Sequence, residues 1–79
     1  MEIKYSKPAV KSIKELNSHY KQRIKTAIEK IPDGDIKKLQ GYKNIYRLRV
    51  GDYRIIYKTT YNGIYVEDIL PRGSAYKRL

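Results

Sequence analysis

The chain contains no cysteine, no phenylalanine and no tryptophan, and only one histidine. Without cysteine there can be no disulfide staple and no thiolate metal site, and a reducing compartment is the natural setting. Without phenylalanine and tryptophan, the nine tyrosines must supply every aromatic core contact as well as any aromatic surface function. Acidic residues are scarce too: eight Asp and Glu stand against eighteen Lys and Arg, for a formal net charge of +10. No apolar run approaches the roughly 20 residues of a membrane span. The first residues, Met1-Glu2-Ile3-Lys4-Tyr5, lack the apolar core of a signal peptide. The expected location is cytoplasmic, with no membrane partner. At 79 residues the chain is expected to be one domain, 1–79, near the lower limit for a self-supporting core.

These shortages also restrict the chemistry. His19 has no cysteine and no second histidine to work with, so Ser-His-Asp and Cys-His devices are unsupported. Asp33 and Asp35 flank Gly34, where they read as turn residues that cap local backbone groups. Glu67 and Asp68 are neighbours on an expected strand and should point to opposite faces. No metal site is expected from such a set. Gly51, Gly63 and Gly73 are isolated, so there is no glycine-rich phosphate loop, and no cofactor is expected.

What the chain has is positive charge, unevenly distributed. Nine of twelve lysines lie in residues 1–40, and five of six arginines lie in 41–79. Lysines along a helix usually solvate its outer face. Arginines on strands are different, because alternation fixes where they point. The stretch Tyr46-Arg47-Leu48-Arg49-Val50-Gly51-Asp52-Tyr53-Arg54-Ile55-Ile56-Tyr57 reads as two strands turning at Gly51-Asp52. Tyr46, Leu48 and Val50 fall on one face, and Arg47 and Arg49 on the other, with Arg54 just beyond the turn. Guanidinium is the group suited to forked recognition of phosphate.

The surrounding chain places this hairpin. Residues 2–5 read as a short strand, and Ser6 can cap the helix that follows, with Pro8 in its first turn. Val10, Ile13, Leu16, Tyr20, Ile24, Ala27, Ile28 and Ile31 recur at helical spacing. Asn17-Ser18 marks a break or a bend, with Ser18 as the expected second cap. Pro32-Asp33-Gly34-Asp35 ends the helical part. Residues 36–45 read as a connection whose Ile36 and Leu39 tuck under the sheet. Strands are expected at about 45–50, 53–60 and 64–70, with Tyr61-Asn62-Gly63 as the second hairpin turn. The expected fold is α+β, a small two-layer sandwich: an N-terminal strand, a helical hairpin and a three-stranded antiparallel meander. One sheet face then stays open, and Arg47 and Arg49 point toward it.

Arginine, lysine and tyrosine support one reaction without metal or histidine. In RNA the 2′-hydroxyl attacks the adjacent phosphate, releasing a 5′-hydroxyl and leaving a cyclic phosphate. The substrate supplies its own nucleophile, so the protein need only orient it, move protons and neutralise charge. DNA lacks that hydroxyl. The tail, Pro71-Arg72-Gly73-Ser74-Ala75-Tyr76-Lys77-Arg78-Leu79, adds further cations and a tyrosine that could stack on an unpaired base or pack as a lid on the sheet.

Leu39-Gln40-Gly41, the Tyr46–Tyr57 hairpin and Pro71-Arg72-Gly73-Ser74-Ala75-Tyr76 together resemble the RelE/ParE superfamily of bacterial toxins, over the whole chain in length and element order. The resemblance implies a toxin held inactive by a cognate antitoxin that wraps it. The RelE branch, which the hairpin favours, cleaves mRNA in the ribosomal A site. The ParE branch inhibits DNA gyrase on the same fold. Carried over by position, the resemblance implies that Arg47 and Arg49 are the basic residues of the central strand. Arg54 would grip the scissile phosphate, Arg72 would follow the last strand, and Tyr76 would orient or stack on the substrate. Lys43, Lys77 and Arg78 are the expected substrate-binding cations. Where some relatives carry a lysine that serves as base, this chain has Arg49, which stays protonated at pH 7. Tyr76, Lys43, Lys77 or a ribosomal group is left to take the proton. Composition alone also allows a third reading, a basic module that binds nucleic acid or an anionic membrane surface through its lysine-rich helices.

Overall fold

Ser6 ends the first strand, starts the first helix and ties both to the last strand of the chain. The computed structural model describes residues 1–73. Its elements are β1 (Glu2–Tyr5), α1 (Lys7–Glu15), α2 (Ser18–Glu29), β2 (Asp35–Lys38), β3 (Ile45–Val50), β4 (Tyr53–Thr59) and β5 (Gly63–Pro71). The five strands form one sheet in the order β1-β5-β4-β3-β2, with β1 parallel to β5 and the other pairs antiparallel. The Ser6 hydroxyl accepts from the Ala9 amide at 3.1 Å, capping α1 where Pro8 needs no donor of its own. It also donates to the Glu67 carbonyl at 2.6 Å. The Ser6 amide donates to the Val66 carbonyl at 2.9 Å.

The helices lie on one face of the sheet. Ala9, Ile24 and Ile28 meet Leu48, Val50, Ile55, Tyr57, Ile64, Val66 and Ile69 in a single buried cluster. Tyr46, Leu48 and Val50 lie opposite Tyr57, Ile55 and Tyr53 on β4, so the alternation expected for β3 is the alternation that builds the core. The α+β class, the N-terminal strand, the helix pair and the strand meander are as expected.

Four local details differ from the sequence reading. The segment taken as a connection begins with a strand, β2, which adds a fourth strand to the antiparallel meander at its edge. Ile36 is its one core-facing side chain, opposite Leu48. A four-residue strand with one apolar residue carries almost no pattern, and β3 supplies the ladder that fixes it. Leu39, just past β2, lines a concavity on the open face rather than the core. The cap of α2 is Asn17, whose side chain accepts from the Tyr20 amide at 2.9 Å. Leu16 must stay extended to pack on the core, which leaves Asn17, not Ser18, as the last residue outside the helix.

The fourth difference is a bulge in β5. Ile56 pairs with Asp68 and Tyr57 with Val66, so Glu67 has no opposite residue. Glu67 pairs with Lys58 at 3.8 Å, and Asp68 lies beside Ile56 on the face away from the helices, where both are buried. Two consecutive carboxylates therefore share a face, against simple alternation. The bulge is what returns Ile69 to the core after Val66.

Gly63 opens β5 against β1. A side-chain carbon built there would lie 1.8 Å from the Glu2 carbonyl oxygen, a backbone atom that cannot swing away. Gly63→Ala is expected to detach β1 from β5. The check is hydrogen exchange at the amides of residues 2–5, which should lose protection well before the β3–β4 hairpin does.

Burial, and then the neighbouring Tyr46, raise the Tyr57 phenol above its ordinary value of 10.0. Burial, with Glu29 nearby, does the same for Tyr5. The folded state therefore favours the neutral phenols. That stability is fully present below pH 10.0 and is lost as pH rises through the raised values. Chemical denaturation across the alkaline range should show a falling midpoint. Tyr57→Phe should lose less than wild type over the same window.

Candidate nucleic-acid interface

The open face carries the cations that the core rejects. On β3, Arg47 and Arg49 project away from the helices because Tyr46, Leu48 and Val50 project toward them. Across the ladder, Arg49 lies directly opposite Arg54 on β4. Arg47 lies opposite Ile56, which puts it diagonal to Arg54. Three guanidiniums thus share one patch on paired strands. Lys37 adds a fourth cation beside Arg47 on the edge strand.

Carboxylates border this patch, with Asp35 opposite Arg49 on β2 and Glu67 and Asp68 on β5, but ion pairs to its arginines are few among the described residues. Arg47 Nη2 stands 3.6 Å from Asp35 Oδ1, and Asp35 is largely exposed. Such a pair contributes under about 1 kcal/mol, but it holds the Arg47 side chain in position. Among the described residues, neither Arg49 nor Arg54 has an ion-pair partner. Like charges directly opposite on neighbouring strands cost roughly 0.2–1 kcal/mol before solvent screening. The free protein carries that cost, and a bound anion would remove it.

Two segments frame the patch. The Arg72 amide donates to the Asp52 carbonyl at 2.6 Å, which fastens the chain after β5 to the β3–β4 turn. Arg72 is thereby held at the end of the sheet that carries Arg49 and Arg54. On the other side, the β2–β3 loop bounds an open concavity of about 1020 Å³ lined by Lys37, Lys38, Leu39, Tyr42, Lys43, Arg47 and Arg54. The loop turns at Gly41, where φ is +87°, a conformation that glycine adopts without strain.

The chain and its fold have counterparts among known proteins. A family model described as the ParE toxin of the type II toxin–antitoxin system parDE matches residues 3–76. Toxin RelE3 of Methanocaldococcus jannaschii is 37% identical over 84 aligned positions, which cover 96% of this chain and 96% of that protein. The chain belongs to the RelE/ParE toxin superfamily. It is RelE-like, and it is the toxin of a toxin–antitoxin pair. Its structure is similar to the RelB–RelE antitoxin–toxin complex of Methanococcus jannaschii, with a TM-score of 0.78, 35% identity, and coverage of 96% of this chain and 98% of that one. It is also similar to the archaeal RelE–RelB complex of Pyrococcus horikoshii, with a TM-score of 0.73, 30% identity, and coverage of 94% and 97%.

Within this RelE-like fold, Arg47, Arg49 and Arg54 form one cluster, and Arg72 and Lys43 stand at two of its borders. Tyr76, Lys77 and Arg78 lie outside the described residues. Sequence reasoning missed Lys37, Lys38 and Tyr42. Their signal was present as two lysines and a Tyr-Lys pair on either side of Gly41, but it had no meaning until β2 brought that loop beside β3.

The opposed pair gives a test that needs no substrate. Arg54→Met should leave the free protein as stable as wild type or slightly more so. It should also abolish most of the rise in melting temperature that added phosphate or sulfate gives the wild type. Thermal melts with and without the anion, at matched ionic strength, measure both effects.

Proposed function

We propose that this chain is a ribosome-dependent, metal-free endoribonuclease that cleaves mRNA in the ribosomal A site. The observation that carries the reading is the Arg49–Arg54 pair, opposed across β3 and β4, with no carboxylate in ion-pair contact among the described residues even though Asp35 lies opposite Arg49 on β2. Two guanidiniums so placed fit the non-bridging oxygens of one phosphate. Arg47, steadied by Asp35, would orient the strand, and Arg72 would hold the phosphate from the end of the sheet. Lys43, with Lys77 and Arg78, would bind the flanking backbone. The 2′-oxygen attacks phosphorus and the bond to the 5′-oxygen breaks, giving a 2′,3′-cyclic phosphate and a 5′-hydroxyl. One proton leaves the 2′-oxygen and one arrives at the 5′-oxygen. Arginine stabilises the extra negative charge but does not take the first proton at neutral pH. That acceptor is Lys43, Tyr76, Lys77 or a ribosomal group, with Tyr76 also stacking on or orienting the substrate.

The natural partner is a cognate antitoxin of acidic character. The net charge of +10 supports this, as do the similar structures, in which RelE is bound to RelB. A second reading, inhibition of DNA gyrase, draws on the match to the ParE family model. The high identity to a protein named RelE3 favours RNA.

Purified protein with programmed ribosomes in EDTA should yield cleaved message with cyclic-phosphate and 5′-hydroxyl ends. Arg54→Ala should lower the rate by at least about a hundredfold. Lys25→Ala, on the outer face of α2, should change it by less than about twofold. Intact message, together with loss of supercoiling when gyrase is assayed, would replace this reading with the second.

A further inference from the structure

We propose that a second groove, around the edge of the sheet from the arginine cluster, binds one nucleotide of the same strand and disfavours uracil there. This extends the RNA reading of the open face and rests on it. The groove has a volume of about 560 Å³, which suits a single nucleotide. One wall is a stripe of α2, with His19 and Arg23 among the residues that face it, continued by the C-cap Lys30. The opposite wall is Arg49, Gly51 and Asp33–Asp35, closed from beneath by the buried side chains of Leu48 and Val50. Arg49 belongs to this groove and to the open-face patch, so it is the point where a strand would pass from one to the other.

The groove sorts the parts of a nucleotide. Its cationic end is built. The Arg23 guanidinium carbon lies 5.5 Å from the centre of the Tyr20 ring, and Tyr20 packs edge-on against Tyr53 at 4.9 Å. Gly51, at φ +57°, leaves the space that Arg23 and Tyr20 use: a side-chain carbon there would be 3.0 Å from Arg23 Nη1 and 3.0 Å from the Tyr20 hydroxyl. Arg23 is therefore held over the β3–β4 turn, two residues along from Arg49, and the two cations frame a phosphate. His19 sits one helical turn before Arg23 on the same wall.

The other end presents carboxylates. Asp35, opposite Arg49 on β2, leans on Arg47, and the Asp33 side chain, two residues before it, has no ion-pair partner among the described residues. A carboxylate accepts hydrogen bonds and donates none. Adenine, cytosine and guanine each offer it an exocyclic amino group. Uracil offers a single N–H between two carbonyl oxygens, which the carboxylate repels. A base lying in the groove with its phosphate at Arg23 and Arg49 would thus be accepted or refused by Asp33.

The test is an NMR titration of the whole chain with each of the four nucleoside 5′-monophosphates, and with inorganic phosphate. AMP, CMP and GMP should shift the Gly34 and Gly51 amides and the His19 ring, and bind at least about fivefold more tightly than UMP or phosphate. Arg23→Ala should weaken all four nucleotides alike. Asp33→Asn, an exposed turn substitution that should leave the melting temperature unchanged, should bring UMP level with the others. Equal affinity for all four in the wild type, equal affinity for phosphate, or shifts confined to the open face would each overturn the proposal. The readout is independent of cleavage. A protein that binds AMP here yet leaves ribosomal message intact refutes the nuclease and keeps the groove, and the reverse result does the opposite.

Discussion

Burial of Tyr46, Leu48 and Val50 against the helices is the constraint on which the rest depends. Each of these three side chains is fixed by its contact with the core. The period of a strand then leaves Arg47 and Arg49 no direction but outward. Arg54 is set in the same way by Tyr53 and Ile55 on either side of it. The protein does not place its cations by satisfying them. It places them by satisfying their neighbours, and so tolerates an electrostatic arrangement that a free choice of rotamers and registers would avoid.

The same economy explains what frames the patch. The short edge strand β2 contributes one core residue, yet its pairing with β3 stations Lys37 beside Arg47 and carries the Gly41 loop alongside the open face. The amide of Arg72 bonded to Asp52 does the equivalent at the other end. Each device uses the backbone to bring a side chain near the cluster and leaves the side chain available. Asp35 is the exception: it lies opposite Arg49 and its long contact with Arg47 steadies that guanidinium.

The central hairpin was legible because it obeys one rule over a sufficient length: β3 and β4 carry thirteen residues whose apolar and basic positions alternate nearly throughout. The helices were legible from their spacing, and Ser6 from its position before Pro8. What escaped were features that tertiary contact decides. β2 has only Ile36 to declare itself. The bulge at Glu67 follows from the need to bring both Val66 and Ile69 to the core, which no local pattern announces. Leu16 decides that Asn17, not Ser18, caps α2. His19 looked isolated because Arg49 is distant in sequence, although the fold brings both to one groove.

The link from Ser6 to Glu67 spans 61 positions of the chain. The β3–β4 hairpin, by contrast, closes over two residues. Loop-closure entropy makes the first kind of contact late and the second early. The arginine-bearing hairpin can therefore assemble as a local unit, while β1 and α1 lock onto β5 only near the end of folding. Contacts made that late govern how fast the native state comes apart more than how fast it forms. A small serine at the junction of strand and helix thus acts as the latch that holds the first strand and helix to the last strand.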